Sequence, residues 1–370
     1  EARHQEQQGP PPVEQLLNVD TLELEVGYGL VRMVDQSQGG DLLDRINMIR
    51  RQLAVELGVI LPPIRVRDNP QLSTYNYRIR IKGNEVATGT ARPGQLMAMD
   101  SGLIDPNGPQ LEGEKTREPA FGLDAWWIEP AQKQRAEALN YTVVDTTDVL
   151  ATHLTEVIRS HADELLSREE TNRLLDQLRE KSPKLVEEVI PGQVKVGELQ
   201  KVLQNLLRER VPIRDLETVL ETLSDWSQRT KDLDVLTEYV RNALRRTICG
   251  QYIEVDSETQ ASRLYCVTLD PGLEDLINGY VERSEQGTTM TIPPNVANRI
   301  TTAILQELQK VLTAGHHPVV LASPQVRGPV RQLLEPHLSN AAVLGYNEVS
   351  KGVEVESMGL VPVDLGQSSE

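Results

Sequence analysis

The chain has few of the residues on which catalysis, metal binding and disulfide scaffolds depend. It contains two cysteines in 370 residues, Cys249 and Cys266. They form no CxxC pair, so neither a disulfide framework nor a cysteine zinc site can be built from them alone. Both lie in apolar surroundings and read as reduced, buried thiols. Aromatic residues make up 4%, with one phenylalanine and three tryptophans. No apolar run approaches the roughly 18–20 residues of a membrane span, and no signal-peptide pattern opens the chain. Glu1 in place of methionine is expected of a piece cut from something longer. Basic charge is also short: 38 Lys and Arg against 55 Asp and Glu leave a net charge of −17. That balance argues against general nucleic-acid binding, which needs clustered cations. It argues equally against adsorption to an anionic membrane. An acidic module of this kind is expected to meet proteins.

The common catalytic motifs are missing as well. There is no GxxxxGK[ST] loop, no GxGxxG after a strand, no GxSxG and no HExxH. His153 and His161 share a predicted helix, but eight residues turn the second imidazole by about 80° from the first. Metal ligands on a helix stand three or four residues apart, so these histidines read as structural or solvated. Ser323 follows the apolar strand PVVLA, yet no glycine flanks it and Pro324 removes an N–H that an oxyanion hole would use. Proline at a helix start is the simpler reading. His316 and His317 end a predicted helix, where a cation complements the last carbonyls. Neither a cofactor nor a metal is expected.

What is present is a succession of α/β, helical and α/β segments. Residues 1–12 are polar and end in three prolines, a stiff solvated arm. After them Val13, Leu16 and Leu17 make a short apolar patch. It either docks on a neighbouring surface or packs on its own domain. Strand periodicity follows in TLELEV and in YNYRIRIKGNEVATG, which turns at Lys82-Gly83-Asn84 and keeps one wet face. Helical periodicity links Leu42, Leu43, Ile46, Ile49, Leu53 and Leu57, with Gly58 as the stop. Residues 101–119 are dense in Gly, Pro, Asn and Asp and are expected to be mostly loop. With the aromatic cluster, a short helix and the strand YTVVD, residues 101–140 look like a small excursion inserted into the first domain. From Thr146 a long helical stripe runs through Val149, Leu150, Leu154, Val157, Ile158 and Leu165. Ser167 and Glu170 are expected to form a capping box. Residues 167–247 read as a compact all-helical domain. The last third returns to α/β, with PVVLASPQVRGPVRQLLEPHLSNAAVLGY as a βαβ unit. From Gly359 the chain is expected to fray.

Several long motifs agree in order with one family. REPAFGLDAWWI (117–128), YTVVDTTDVLATHLTEVIRSHADELLSREE (141–170), PKLVEEVIPG (183–192) and KVLQNLLRERVPIRDLETVLETL (201–223) are the most characteristic. GYGL (27–30) and IRVRDNPQLSTYNYRIRIKG (64–83) add to them. They resemble the FlhA family of flagellar export-gate proteins and its relatives in virulence-associated type III secretion. The DNPQLSTYNYRIRIKG segment is closer to the flagellar branch. The resemblance implies the cytoplasmic part of a membrane protein, joined to an absent membrane part by residues 1–20. It implies an α+β multidomain fold: a ferredoxin-like domain (21–96 and 146–166) and a small inserted domain (97–145). A helical domain (167–247), an α/β domain (248–357) and a tail (358–370) follow. It also implies a nine-membered ring beneath the export pore, at the cytoplasmic face of the inner membrane. The partners implied are flagellar export chaperones with bound substrates, and other export-apparatus proteins.

Family members bind chaperones at a hydrophobic dimple between the first two domains. Its phenylalanine falls on Phe121, its acidic residue on Glu118 and its threonine on Thr152, with Val144 and Val149 along the wall. Other members often carry Asp at the Glu118 position. Trp126 and Trp127 are expected inside the small domain, while Phe121, between Pro119 and Gly122, sits where a rigid turn presents its ring. An exposed ring offers roughly 150 Å² of burial, about 2–4 kcal/mol. The expected role is therefore a docking platform with no chemistry of its own. Two alternatives are an enzyme or nucleotide-responsive module using the last α/β domain, and the homologous virulence export-gate component.

Overall fold

The computed structural model describes residues 19–100, 102, 104, 111–256, 259–284, 287–338 and 340–363. The fold is multidomain α+β. Contacts divide it into two compact units, one of residues 1–56 and 60–161, the other of 57–59 and 162–370. Val13, Leu16 and Leu17 lie outside the described residues.

Unit 1 carries two sheets. Strand β1 (Leu22–Val26) leads through a short helix α1 (Val31–Val34) to α2 (Leu42–Leu57), whose buried stripe runs Leu42, Ile46, Ile49, Leu53, Leu57. Strands β2 (Ile64–Asp68), β3 (Asn76–Ile81) and β4 (Asn84–Thr90) complete the first sheet in the order β2-β1-β3-β4. Strands β1 and β2 are parallel immediate neighbours. In that detail the sheet departs from a split βαβ arrangement, which inserts a strand between its parallel pair. The β3–β4 turn places Lys82 at φ +48° and Gly83 at φ +79°, the left-handed pair of a two-residue hairpin loop.

The alternation read from the sequence puts Leu22, Leu24, Val26, Tyr77, Ile79 and Ile81 on one buried face. The opposite face is less wet than expected. Glu23 and Glu25 are 8% and 7% exposed, and the guanidiniums of Arg67 (3.0 Å) and Arg80 (2.9 Å) neutralise them. Burial raises the Glu25 pKa, but hydrogen bonds from Asn69 and Arg80 and the charges of Arg80 and Arg78 outweigh it and hold the carboxyl below its ordinary range.

Between β4 and the next long helix the chain forms β5 (Leu96–Asp100), β6 (Glu114–Arg117), β7 (Asp124–Ile128), α3 (Lys133–Ala138) and β8 (Tyr141–Asp145). These strands make an antiparallel sheet of order β6-β7-β5-β8. Within the stretch 101–119 expected to be mostly loop, 101, 103 and 105–110 lie outside the described residues, while 114–117 is a strand. Its Glu-Lys-Thr-Arg sequence has no apolar alternation because it is an edge strand, held by main-chain pairing to β7 alone. Helix α4 (Thr146–Ser160) follows, capped by the Asp145 carboxylate on the Asp148 N–H.

Unit 2 begins with seven helices: α5 (Ala162–Leu165), α6 (Arg168–Lys181), α7 (Pro183–Val189), α8 (Val196–Arg208), α9 (Leu216–Trp226), α10 (Leu233–Ala243) and α11 (Arg245–Gly250). Only half of the expected capping box forms. The Ser167 hydroxyl accepts from the Glu170 N–H, but the Glu170 carboxylate turns to Arg173 instead of reaching back. The chain continues through β9 (Glu254–Val255), β10 (Ser262–Leu269), α12 (Pro271–Asn278), the hairpin β11 (Val281–Ser284) and β12 (Gly287–Met290), and α13 (Pro294–Thr313). Strand β13 (Val319–Ala322), α14 (Arg327–Leu334), β14 (Ala342–Gly345) and β15 (Glu354–Val361) end it. The sheet order is β14-β13-β10-β15, parallel throughout, with β9 added antiparallel on β10.

Three expectations change in this part. The frayed end from Gly359 is instead the last turn of strand β15, where Val361 is fully buried beside β10. Pro324 does not start a helix; α14 begins at Arg327, and the Ser323 N–H donates to Glu274 at 2.8 Å. His316 does not cap α13 with its imidazole. It stacks on Tyr265 at 3.7 Å and pairs with Glu254 at 2.8 Å.

A six-residue ionic network stands inside unit 2. Arg241 pairs with Glu348 (2.7 Å) and Glu209 (3.1 Å), and Arg327 bridges Glu209 (2.6 Å) and Glu238, with Arg331 close by. Burial alone would raise Glu209, yet the Arg241 and Arg327 charges win and hold it at about 2.

Candidate functional site

The turn joining β6 to β7 is built around Glu118. Its backbone N–H donates to Leu123 O (2.8 Å), and its carbonyl accepts from the Gly122 N–H (2.9 Å). Its carboxylate accepts from the Ala120 N–H at 2.8 Å and the Phe121 N–H at 2.6 Å. Both carboxylate oxygens are therefore used inside the turn, and the residue is 2% exposed. Gly122 sits at φ +72°, a conformation that a side chain would strain. Phe121 projects from this turn 60% exposed, with Leu123 beside it at 42%.

Glu118 also faces inward. Burial, and then the Glu118 charge, raise the Tyr77 pKa, so the phenol keeps its proton. The Tyr77 hydroxyl lies 2.7 Å from His153 Nδ1, and the two rings meet edge to face at 5.7 Å. Burial lowers the His153 pKa, so this imidazole is a neutral core group. The buried Tyr77–His153 contact thus ties β3 to α4, and the Glu118 charge is felt at its phenol.

Thr152 precedes His153 on α4 and is exposed. Val149, one turn earlier, is buried against Met97, Ala125 and Trp127, and Val144 packs on the same cluster. The registers place Val144 and Trp127 on either side of Met97. Trp126 points to the opposite face, half-buried, with Tyr141 edge-on at 5.4 Å and Lys115 Nζ 5.6 Å from its ring. The expected site residues therefore form two groups. Glu118 and Phe121 share one turn, while Val144 and Val149 share one apolar cluster. Thr152 joins them through its helix, beside His153.

Tyr77 and His153 anchor the helix that carries Thr152, and the residue pattern did not assign them that part. The signal available was a tyrosine on the apolar side of a strand and a histidine inside an apolar helical stripe. Among the described residues no group of three or more His, Cys, Asp or Glu is placed to hold a metal ion. The exposed ring, the clamped turn and the apolar wall can seat a hydrophobic group of another molecule.

Comparison with known proteins gives the chain's family and fold. The model of the FHIPEP family matches residues 1–354. The flagellar biosynthesis protein FlhA of Bacillus subtilis (strain 168) is 44% identical over 363 residues, 98% of this chain and 52% of that protein. The chain spans about half the length of the curated relatives it matches. The structure of the Chlamydia pneumoniae CdsV protein superposes with a TM-score of 0.79 at 26% identity, covering 93% of this chain and 98% of the other. CdsV in complex with CdsO gives 0.77 over the same shares at 26% identity. The nonameric SctV-C of EPEC has the same fold, with a TM-score of 0.73 at 23% identity over 93% of this chain and 99% of that one.

Proposed function

Because the chain belongs to the FHIPEP family, we propose that it is the cytoplasmic docking platform of a flagellar type III protein-export gate. In this reading it receives export chaperones with their bound substrates and presents them for ordered secretion. The carrying observation is Phe121, a large apolar ring left 60% exposed by a turn that Glu118 holds rigid. Thr152 and the half-buried Val144 complete the receiving surface, with Val149 packed in the cluster beneath. Residues 21–96 and 146–166, 97–145, 167–247 and 248–357 serve as four domains, with Val13, Leu16 and Leu17 as a linker patch that docks on a neighbouring surface. The working assembly is a nonameric ring at the cytoplasmic face of the inner membrane, anchored by a membrane part outside this chain. The nonameric SctV-C structure and the CdsV–CdsO complex support an oligomer with export-apparatus partners. Among the described residues no helix is long and apolar enough to cross a membrane.

Calorimetric titration with a purified chaperone–substrate complex tests the site. Phe121→Ala should weaken binding by about tenfold or more, the scale of one aromatic hot spot, with the thermal melt unchanged. Equal affinity for the variant and the parent chain removes Phe121 from the interface.

A further inference from the structure

Unit 2 contains a second surface that the docking reading leaves unused. A cleft of about 600 Å³ opens between α8, α10, β12 and α14, within the ordinary range for a ligand-sized site. One wall is a fixed aromatic ledge. The Tyr239 ring stacks parallel on Trp226 at 3.8 Å and 8°, and the Arg229 guanidinium lies 4.8 Å from the Trp226 ring. Met290, Pro324 and Pro329 supply the apolar remainder.

The charges in the cleft are of two kinds. Its guanidiniums are already engaged: Arg208 with Asp163 (3.0 Å), Arg327 with Glu209 and Glu238, and Arg331 with the Ala341 carbonyl (2.9 Å). Two lining carboxylates are not. Asp234 accepts one long hydrogen bond from Asn205 (3.3 Å), and among the described residues neither Asp234 nor Glu335 stands in an ion pair. Lys201 and Arg208 bear on Asp234, and Arg331 donates to a carbonyl, so the excess is small: four lining carboxylates (Glu209, Asp234, Glu238, Glu335) against three guanidiniums (Arg208, Arg327, Arg331) leave the cleft net negative. A basic side chain fits such a trough in a specific way: its alkyl stem lies along the Tyr239 ring and its cationic head reaches the carboxylates. The apolar walls require more than a bare cation, and a nucleic-acid phosphate is repelled.

We propose that this cleft binds an extended segment of a partner polypeptide that carries a lysine or arginine side chain between apolar residues. The segment lies along the trough, its base between Asp234 and Glu335 and its apolar neighbours on Tyr239, Met290 and Pro329. The surface is separate from the Phe121 turn and has its own readout.

The test is fluorescence anisotropy with a short labelled peptide alternating lysine with proline and leucine. A second peptide carries glutamate in place of lysine. The lysine peptide should bind saturably and more weakly as salt rises, and the glutamate peptide should not bind. Glu335→Lys should reduce the affinity by about tenfold or more. Asp234→Asn, a milder change, should act in the same direction with an unchanged circular-dichroism melt, and Phe121→Ala should have no effect. Equal binding of both peptides overturns the proposal, as does full competition by spermidine, which identifies a site for small cations only. Insensitivity to both carboxylate variants, or absence of saturable binding, also overturns it.

Discussion

Glu118 is a buried carboxylate whose two oxygens serve backbone N–H groups rather than solvent. In the proposed docking role its part is positional: it braces the turn from which Phe121 projects. Charge-assisted bonds of this kind are shorter and stronger than neutral ones, and removing their acceptor leaves two N–H groups without a partner. Glu118→Ala should lower stability by about 1–3 kcal/mol and weaken chaperone binding, even though the lost atoms face the protein. Glu118→Asp should rescue part of each, since it keeps the charge on a shorter arm. Denaturant midpoints measured beside binding titrations check this. A variant with reduced binding and an unchanged midpoint would place the carboxylate at the partner instead. The sequence pointed to Glu118 only through its position in REPAF, because a turn-bracing carboxylate and a ligand-contacting one have the same letter.

At the scale of elements, the strands and helices with clear alternation or a clean apolar stripe were legible from the residues, as α2, α8 and the β3–β4 hairpin illustrate. Those made by main-chain pairing alone were not. Strand β6 is four polar residues on a sheet edge, and the end of β15 looked like a tail because its partner β10 is almost a hundred residues away in sequence. Helix α4 was read as a stripe, but the histidine in that stripe carries a consequence. His153 is buried against Tyr77, and burial lowers its pKa from the ordinary 6.5. The unfolded chain takes up this proton first, so the stability gained from a neutral His153 is complete above about pH 6.5. It is lost as pH falls through the lowered folded value. The urea midpoint of unit 1, followed by the fluorescence of buried Trp127, should fall between pH 7 and pH 5. His153→Gln, which keeps a polar partner for the Tyr77 hydroxyl and does not titrate, should flatten that slope. Parallel slopes for the two proteins would mean that another group sets the acid limit.

For the whole molecule, two compact units imply two cooperative transitions, each with its own core. What the sequence concealed most fully is the charge inside the second one. Arg241 is 2% exposed, yet in YVRNALRR it looks like any solvated helical arginine; its partners Glu209 and Glu348 lie 32 and 107 residues away. Such a network is costly to desolvate, and its members hold one another in place only while every charge is matched. Arg241→Met should therefore leave Glu348 without its cation in a low-dielectric interior and Glu209 with Arg327 alone, and destabilise unit 2 by about 3–5 kcal/mol. Unit 1 shares none of these partners, so its transition should stay where it was. Trp226 reports unit 2 and Trp127 reports unit 1, which makes the two separable in single-tryptophan variants followed through a thermal melt. If both transitions moved together, the units would unfold as one cooperative body. If neither moved, Arg241 would be dispensable to the packing of α10 against β14. A selective shift assigns the network its role: it fastens the helical part of unit 2 to its α/β part, the two walls between which the acidic cleft lies.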